Sequence, residues 1–167
     1  RSFKPELRQF DDIASALALF TTRAMEKLRK QRSMTQMITV FIRSNPFKDH
    51  VPKVRRALSM GLLTATNDTV FVTKCARQLL HQLHAPGIPI KKAGIILDEL
   101  TNDSVQQDSL FEKAQCSPLM SVMDQINRRY GRDKIQLANN LRFNNQRQVP
   151  CWVSPQYTTK WEALPCV

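Results

Sequence analysis

Along the first hundred residues the apolar positions switch between a helical and an alternating period, and each switch marks an element. Ile13, Leu17, Phe20, Ala24 and Leu28 recur at helical spacing, which predicts a helix running to about Lys30. Asp11 and Asp12 offer side-chain oxygens to cap its start, and Lys27, Arg29 and Lys30 suit the negative end of its dipole. The stretch "TQMITVFIR", residues 35–43, sets Ile38, Val40 and Ile42 on one face and Thr39, Phe41 and Arg43 on the other. Its β-branched and aromatic content makes it a strand. "SNPFKDHVP", with two prolines, reads as a connection. A second extended run, 54–65, puts Arg56, Leu58, Met60 and Leu62 on one side and Arg55, Ala57 and Ser59 on the other, with Gly61 a place for a bulge. Asn67 or Asp68 then caps a helix carrying Val72, Cys75, Ala76, Leu79 and Leu83, which ends before "APGIP". "KKAGIILDEL", 91–100, closes the series as a strand.

With "RSF" as a first strand, residues 1–100 read β-α-β-β-α-β: an α+β domain with one sheet, two helices on one face and the other face open. From Thr101 to about residue 116 the chain is polar and aperiodic, the pattern of a flexible linker. Ser117 and Pro118 start a helix whose stripe of Leu119, Val122, Met123, Ile126 and Tyr130 stops at Gly131. Such a stripe needs a cover. The tail, 132–167, is expected to form short irregular elements, so the expected divisions are 1–100, 101–116 and 117–167. There is no internal repeat.

At 167 residues the chain has room for one domain and a smaller appendage. It opens on Arg1 rather than Met, as a fragment or processed product would. The 25 Lys and Arg outnumber 14 Asp and Glu, for a net charge of +11. The surplus is concentrated: residues 1–100 hold 17 basic and 8 acidic residues, and the remaining 67 hold 8 and 6. A polyanion, nucleic acid above all, is the expected partner, against the plainer alternative of a basic but merely soluble domain. No apolar run approaches the roughly 18 residues of a membrane span, and "RSFKPELRQF" lacks the apolar core of a signal peptide. The expected location is the cytoplasm, with no membrane partner.

Little in the chain suggests catalysis. The four glycines form neither a P-loop nor a G-x-G-x-x-G turn, and no nucleophile elbow is present. Asp98 and Glu99 are adjacent on a strand and point to opposite faces, so they do not readily share a metal. Cys75, Cys116, Cys151 and Cys166 form no C-x-x-C pair and are expected to be reduced. His81 and His84 lie three apart on a helix with no third ligand nearby. No catalytic residue, cofactor or metal is therefore expected. The element order is also that of the RNA-recognition fold, which stacks bases on aromatic side chains of its central strands and carries a basic-aromatic consensus on the third. Here the third strand, "VRRALSMGL", has no aromatic, and contact with phosphates fits better.

Several segments resemble a known family. "RSF", "FIRSNPF", "KKAGIIL", "QDSLF", "LMSVMDQIN" and "SPQYTTKWEALP", in that order, are similar to the UmuC family: the polymerase subunits of bacterial SOS mutagenesis and their plasmid-borne relatives, which are Y-family translesion DNA polymerases. The resemblance covers nearly the whole chain. It implies that residues 1–100 are the little finger, an accessory domain whose sheet lies in the major groove and holds the duplex by its backbone. The catalytic carboxylates, and the Mg they would hold, would belong to a preceding part, so this fragment alone is expected to be inactive. The implied role is DNA repair at the nucleoid.

Within that reading Arg1, Ser2, Arg43, Arg55, Arg56, Lys91 and Lys92 are the candidate DNA contacts, with Arg55 and Arg56 expected to face opposite ways. Gln107, Asp108, Ser109, Leu110 and Phe111 resemble the pentapeptide by which bacterial polymerases bind the sliding clamp. Leu110 and Phe111 would fill an apolar pocket there; the sequence departs from the motif at Asp108, where an apolar residue is usual. An alternative makes the chain a scaffold for a UmuD′-like subunit and the RecA filament, with Leu119, Met123, Trp152, Tyr157 and Trp161 as anchors. A free-standing RNA-binding domain is the third possibility.

Overall fold

The computed structural model describes residues 1–103 and 118–140. Their elements are β1 (Ser2–Leu7), α1 (Phe10–Lys30), β2 (Ser33–Ser44), β3 (Arg55–Thr66), α2 (Thr69–Leu83), β4 (Ile90–Asn102), α3 (Pro118–Tyr130) and a 3₁₀ turn at Ala138–Asn140. The four strands make one sheet in the order β1-β4-β2-β3, each neighbouring pair antiparallel. The expected α+β order is present, with β2 and β4 central. This order bears on the RNA-recognition alternative, because β3, the strand that would carry the consensus, stands at an edge.

Alternation along β2 decides which side of the sheet is covered. Ile38, Val40 and Ile42 are fully buried, while Thr39, Phe41 and Arg43 on the opposite face are only partly covered. Against the buried face lie Ile13, Leu17, Met25 and Leu28 of α1 and Val72, Ala76, Leu79, Leu80 and Leu83 of α2, joined by Phe3, Leu7, Leu62, Ile90 and Ala93 from the other strands. Each large side chain removed from water in this layer contributes about 1.5–3 kcal/mol. Both helices therefore share one face, and nothing among the described residues packs as a layer on the other.

The helix starts differ from each other. Asp68 caps α2 as expected, accepting from the backbone N–H of Val70 at 2.7 Å and of Phe71 at 3.4 Å. At α1 the expected cap moves: the helix begins at Phe10, Gln9 holds the cap position without a side-chain bond, and Asp11 and Asp12 fall in the first turn. There they act through charge on the positive end of the dipole rather than by capping. β4 runs to Asn102, two residues into the expected linker, where Asp103 N–H donates to Arg32 C=O at 3.0 Å.

The buried face of α3 is shifted from the stripe its sequence suggested and keeps only Met123 of it fully covered. Met120 and Met123 are buried, whereas Leu119, Val122 and Tyr130 are exposed. An ion pair explains the rotation. Arg29 of α1 donates to both oxygens of Asp124, at 2.6 and 2.9 Å, and also to Asn67 C=O at 3.0 Å and Thr69 Oγ1 at 2.6 Å. Once Asp124 faces Arg29, Met120 and Met123 turn inward with it, and Leu119, Val122 and Tyr130 of the predicted stripe turn outward. Further along, Ser15 Oγ donates to Asn139 C=O at 2.8 Å and the Asn140 amide to Thr22 Oγ1 at 3.1 Å, tying the 3₁₀ turn to α1.

Arg29→Ala should destabilise the chain by about 2–3 kcal/mol in urea unfolding, because it leaves Asp124 without its charge partner. Arg29→Lys should recover only part of this, since an ammonium cannot reach the carboxylate and both α2-side acceptors together. In a double-mutant cycle with Asp124→Ala, a coupling near zero would show that the pair does not position α3.

Candidate nucleic-acid interface

Strand register assembles the open face row by row. Ser2 stands opposite Lys92, Lys92 opposite Arg43, and Arg43 opposite Arg55. One line across all four strands therefore carries three cations and a hydroxyl. The next row is Gly94, Phe41 and Ala57. A Cβ on Gly94 would lie 2.6 Å from the Phe41 ring, so only glycine lets that ring rest on the sheet. Beyond come Ile96, Thr39 and Ser59, the two hydroxyls 2.8 Å apart, and then Asp98, Met37 and Gly61. The face thus grades from basic at the β2–β3 connection to acidic at the far end, and a polyanion is favoured only over the first half.

The other candidate cations lie elsewhere. Arg56 pairs with buried Ile42, on the helix side, and donates to Leu83 C=O at 3.3 Å near the end of α2. Arg55 and Arg56 do divide, as alternation requires. Arg1 places its guanidinium 5.8 Å from the centroid of the Phe20 ring on α1. Lys91 sits where the β2–β4 register shifts, and its ammonium donates to Phe3 C=O at 2.9 Å. Ser2, Arg43, Arg55 and Lys92 remain on the open face.

A second basic group was not foreseen. Lys4, Arg8, Lys48 and Lys91 line a shallow cleft of about 420 Å³ beside the β2–β3 connection, with Glu6, Asn45, Pro5 and Pro89. Glu6 organises it: one carboxylate oxygen accepts from the Asn45 amide at 3.0 Å and the other from Lys48 at 3.1 Å. These bonds hold the Glu6 carboxyl below its ordinary pKa. The chain gives only a faint signal of this cleft, since Lys48 lies in a proline-containing connection far in sequence from Lys4 and Arg8.

His81 and His84 both set their rings edge-on to Phe10, with centroids 5.6 and 5.5 Å away. Burial, then the neighbouring His81, lowers the pKa of His84, whose Nδ1 is buried without a hydrogen-bond partner. Burial likewise raises the Cys75 thiol, keeping it protonated and inert. Among the described residues no three His, Cys, Asp or Glu side chains gather as metal ligands, and no helix is long and apolar enough to cross a membrane. Gln107, Asp108, Ser109, Leu110 and Phe111 lie outside the described residues, as do Trp152, Tyr157 and Trp161. Of the remaining candidate anchors, Leu119 is exposed and Met123 is buried.

The architecture defines a class: an α+β domain with one covered and one open sheet face, basic at one end of the open face. The chain belongs to the impB/mucB/samB family, whose C-terminal domain matches residues 1–110. Residues 117–167 match a domain of unknown function, DUF4113. Protein MucB of Salmonella typhimurium is 32% identical over 99% of this chain and 40% of its own length, and Protein MucB of Escherichia coli shows the same figures. Protein UmuC of Salmonella typhimurium is 27% identical over 98% of this chain, again 40% of its own length. The chain thus spans about two fifths of these relatives, and the family is the one its motifs resemble.

Acid should loosen the domain in two stages. A His84 pKa below its ordinary 6.5 and a Glu6 pKa below its ordinary value both mean that the unfolded state binds protons first. Each contribution is complete above the unfolded value and is lost as pH falls through the folded one. Melting temperature should therefore decline below pH 6.5 and again in the carboxylate range. His84→Phe should flatten the first step and Glu6→Gln the second; two unchanged profiles would refute these assignments.

Proposed function

We propose that the chain is the accessory DNA-binding and clamp-tethering region of an error-prone translesion DNA polymerase, holding duplex DNA by its backbone without reading its sequence. The observation that carries this is the Ser2–Lys92–Arg43–Arg55 row on an otherwise uncovered sheet face, in a chain of the impB/mucB/samB family. Cations spaced by strand separation, roughly 5 Å, reach successive phosphates, and a face with one aromatic ring among mostly aliphatic and hydroxyl side chains offers little means of base readout. Within the whole protein the domain would keep the template in place while catalysis proceeds elsewhere; the nucleotidyl-transfer residues and Mg belong to that other part. Gln107–Phe111 would then tether the polymerase to the sliding clamp. Burying Leu110 and Phe111 yields about 1.5–3 kcal/mol each, and after ordering the segment a weak affinity of about micromolar or poorer remains. Weak binding suffices because DNA and clamp are held at once.

A second reading, a scaffold for a UmuD′-like subunit and RecA, draws on α3: with Met120 and Met123 turned inward, Leu119 and Val122 remain 62% and 50% exposed. Truncation near residue 115 separates the two, since a scaffold would lose its partners while DNA affinity persisted.

Three to five phosphate contacts give a slope of log affinity against log salt of about −3 to −4.5 on any duplex sequence. Arg43→Ala/Arg55→Ala/Lys92→Ala should reduce its magnitude by about 3, while Lys27→Ala on the helix side leaves it unchanged. An unaltered slope in the triple variant would remove the open face from the interface. In clamp pull-down, Leu110→Ala/Phe111→Ala should abolish capture and leave the salt slope intact; capture at the original level would rule out the pentapeptide.

A further inference from the structure

The β2–β3 connection holds a large apolar side chain that the fold does not use. Phe47 is 90% exposed, more than any other large hydrophobic residue described. Leaving such a ring in water forfeits the burial that stabilises its counterparts in the core. A floppy loop would let it fold back onto the protein. This loop is braced instead: Phe47 N–H donates to Asn45 Oδ1 at 3.1 Å, and Asn45 in turn donates to Glu6. Lys48 fixes the other side through the second Glu6 oxygen. At the base, Ser44 Oγ donates to Pro52 C=O at 2.8 Å, and Ser44 and Val54 exchange further bonds, including Ser44 N–H to Val54 C=O at 2.9 Å. The ring is thus held outward by the structure beneath it.

Its surroundings select the partner. The loop leaves the sheet after Ser44, one residue past Arg43, and returns directly before Arg55, the pair that ends the cationic row. Lys48 and the cleft formed with Lys4, Arg8 and Lys91 flank its base. A polyanion on that row lies at the edge of the sheet from which the loop extends, and the flanking cations favour an anionic partner. Inside an intact duplex a ring gains a stacking surface only by opening a base step, at the cost of the stacking it disrupts. An unpaired base offers its face freely.

We propose that Phe47 is a stacking platform for an unpaired nucleobase at a duplex/single-strand junction, working beside the phosphate contacts. The inference rests on the DNA-binding reading and extends it: the sheet grips the duplex, and the loop senses where the duplex stops.

The test uses the 167-residue chain and two probes, a blunt duplex and the same duplex with a short overhang bearing 2-aminopurine next to the junction. The wild-type chain should bind the overhang probe more tightly and quench its fluorescence. Phe47→Ala should weaken overhang binding about fivefold or more, lose the quenching, and leave blunt-duplex affinity, salt slope and melting temperature unchanged. Phe47→Trp should retain preference and quenching, and Phe47→Leu should not. Equal loss on both probes, full function in Phe47→Leu, or no effect of Phe47→Ala on either probe would each overturn the proposal. If instead the wild-type chain bound neither probe in a salt-dependent manner, the DNA-binding reading itself would fail.

Discussion

The structure depends on the period-two alternation of β2. Ile38, Val40 and Ile42 can enter the core only if Thr39, Phe41 and Arg43 leave it, because successive side chains on a strand point to opposite faces. β2 bonds to both β3 and β4, so its register fixes theirs. A one-residue slip would bring Arg43 under the helices and push Ile42 into water, losing apolar burial and stranding a charge. The hydrophobic effect that secures the helix layer therefore also places the cations. The open face is a by-product of core formation, and its charge comes from which residues remain on that side.

Two devices refine this frame, and each works through a charged residue with several partners. Arg29 joins α1, the start of α2 and α3 by satisfying the Asp124 carboxylate and two further acceptors. Its planar fork suits that task, and a partly buried pair of this kind specifies an arrangement more than it adds to stability. Glu6 does the same for the β2–β3 connection through Asn45 and Lys48. An acidic residue in a basic region thus orders the loop that carries Phe47. The family assignment is consistent with this division: the impB/mucB/samB C-terminal domain match ends at residue 110, and a separate match containing α3 begins at residue 117.

Residue types and spacing alone were enough for the element order, for the helix layer on one side of the sheet, and for the opposite orientations of Arg55 and Arg56. All three follow from local periodicity, a property of neighbouring residues. The concentration of charge in residues 1–100 was equally legible, because long-range electrostatics depends on totals more than on positions. Motif order pointed to the family.

Tertiary structure alone decided what depends on residues distant in the chain. Strand order brought Ser2, Lys92, Arg43 and Arg55 into one line, while contacts with Phe20 and with Phe3 C=O drew Arg1 and Lys91 off it. The pairing of Arg29 with Asp124, 95 positions along the chain, turned α3 away from most of its own hydrophobic stripe, and a carboxylate from β1 turned a connecting loop into a braced mount for an exposed ring. Periodicity states which side chains share a face; it does not state which face meets which, since that follows from hydrogen-bonded register and from ion pairs formed only when the chain is folded.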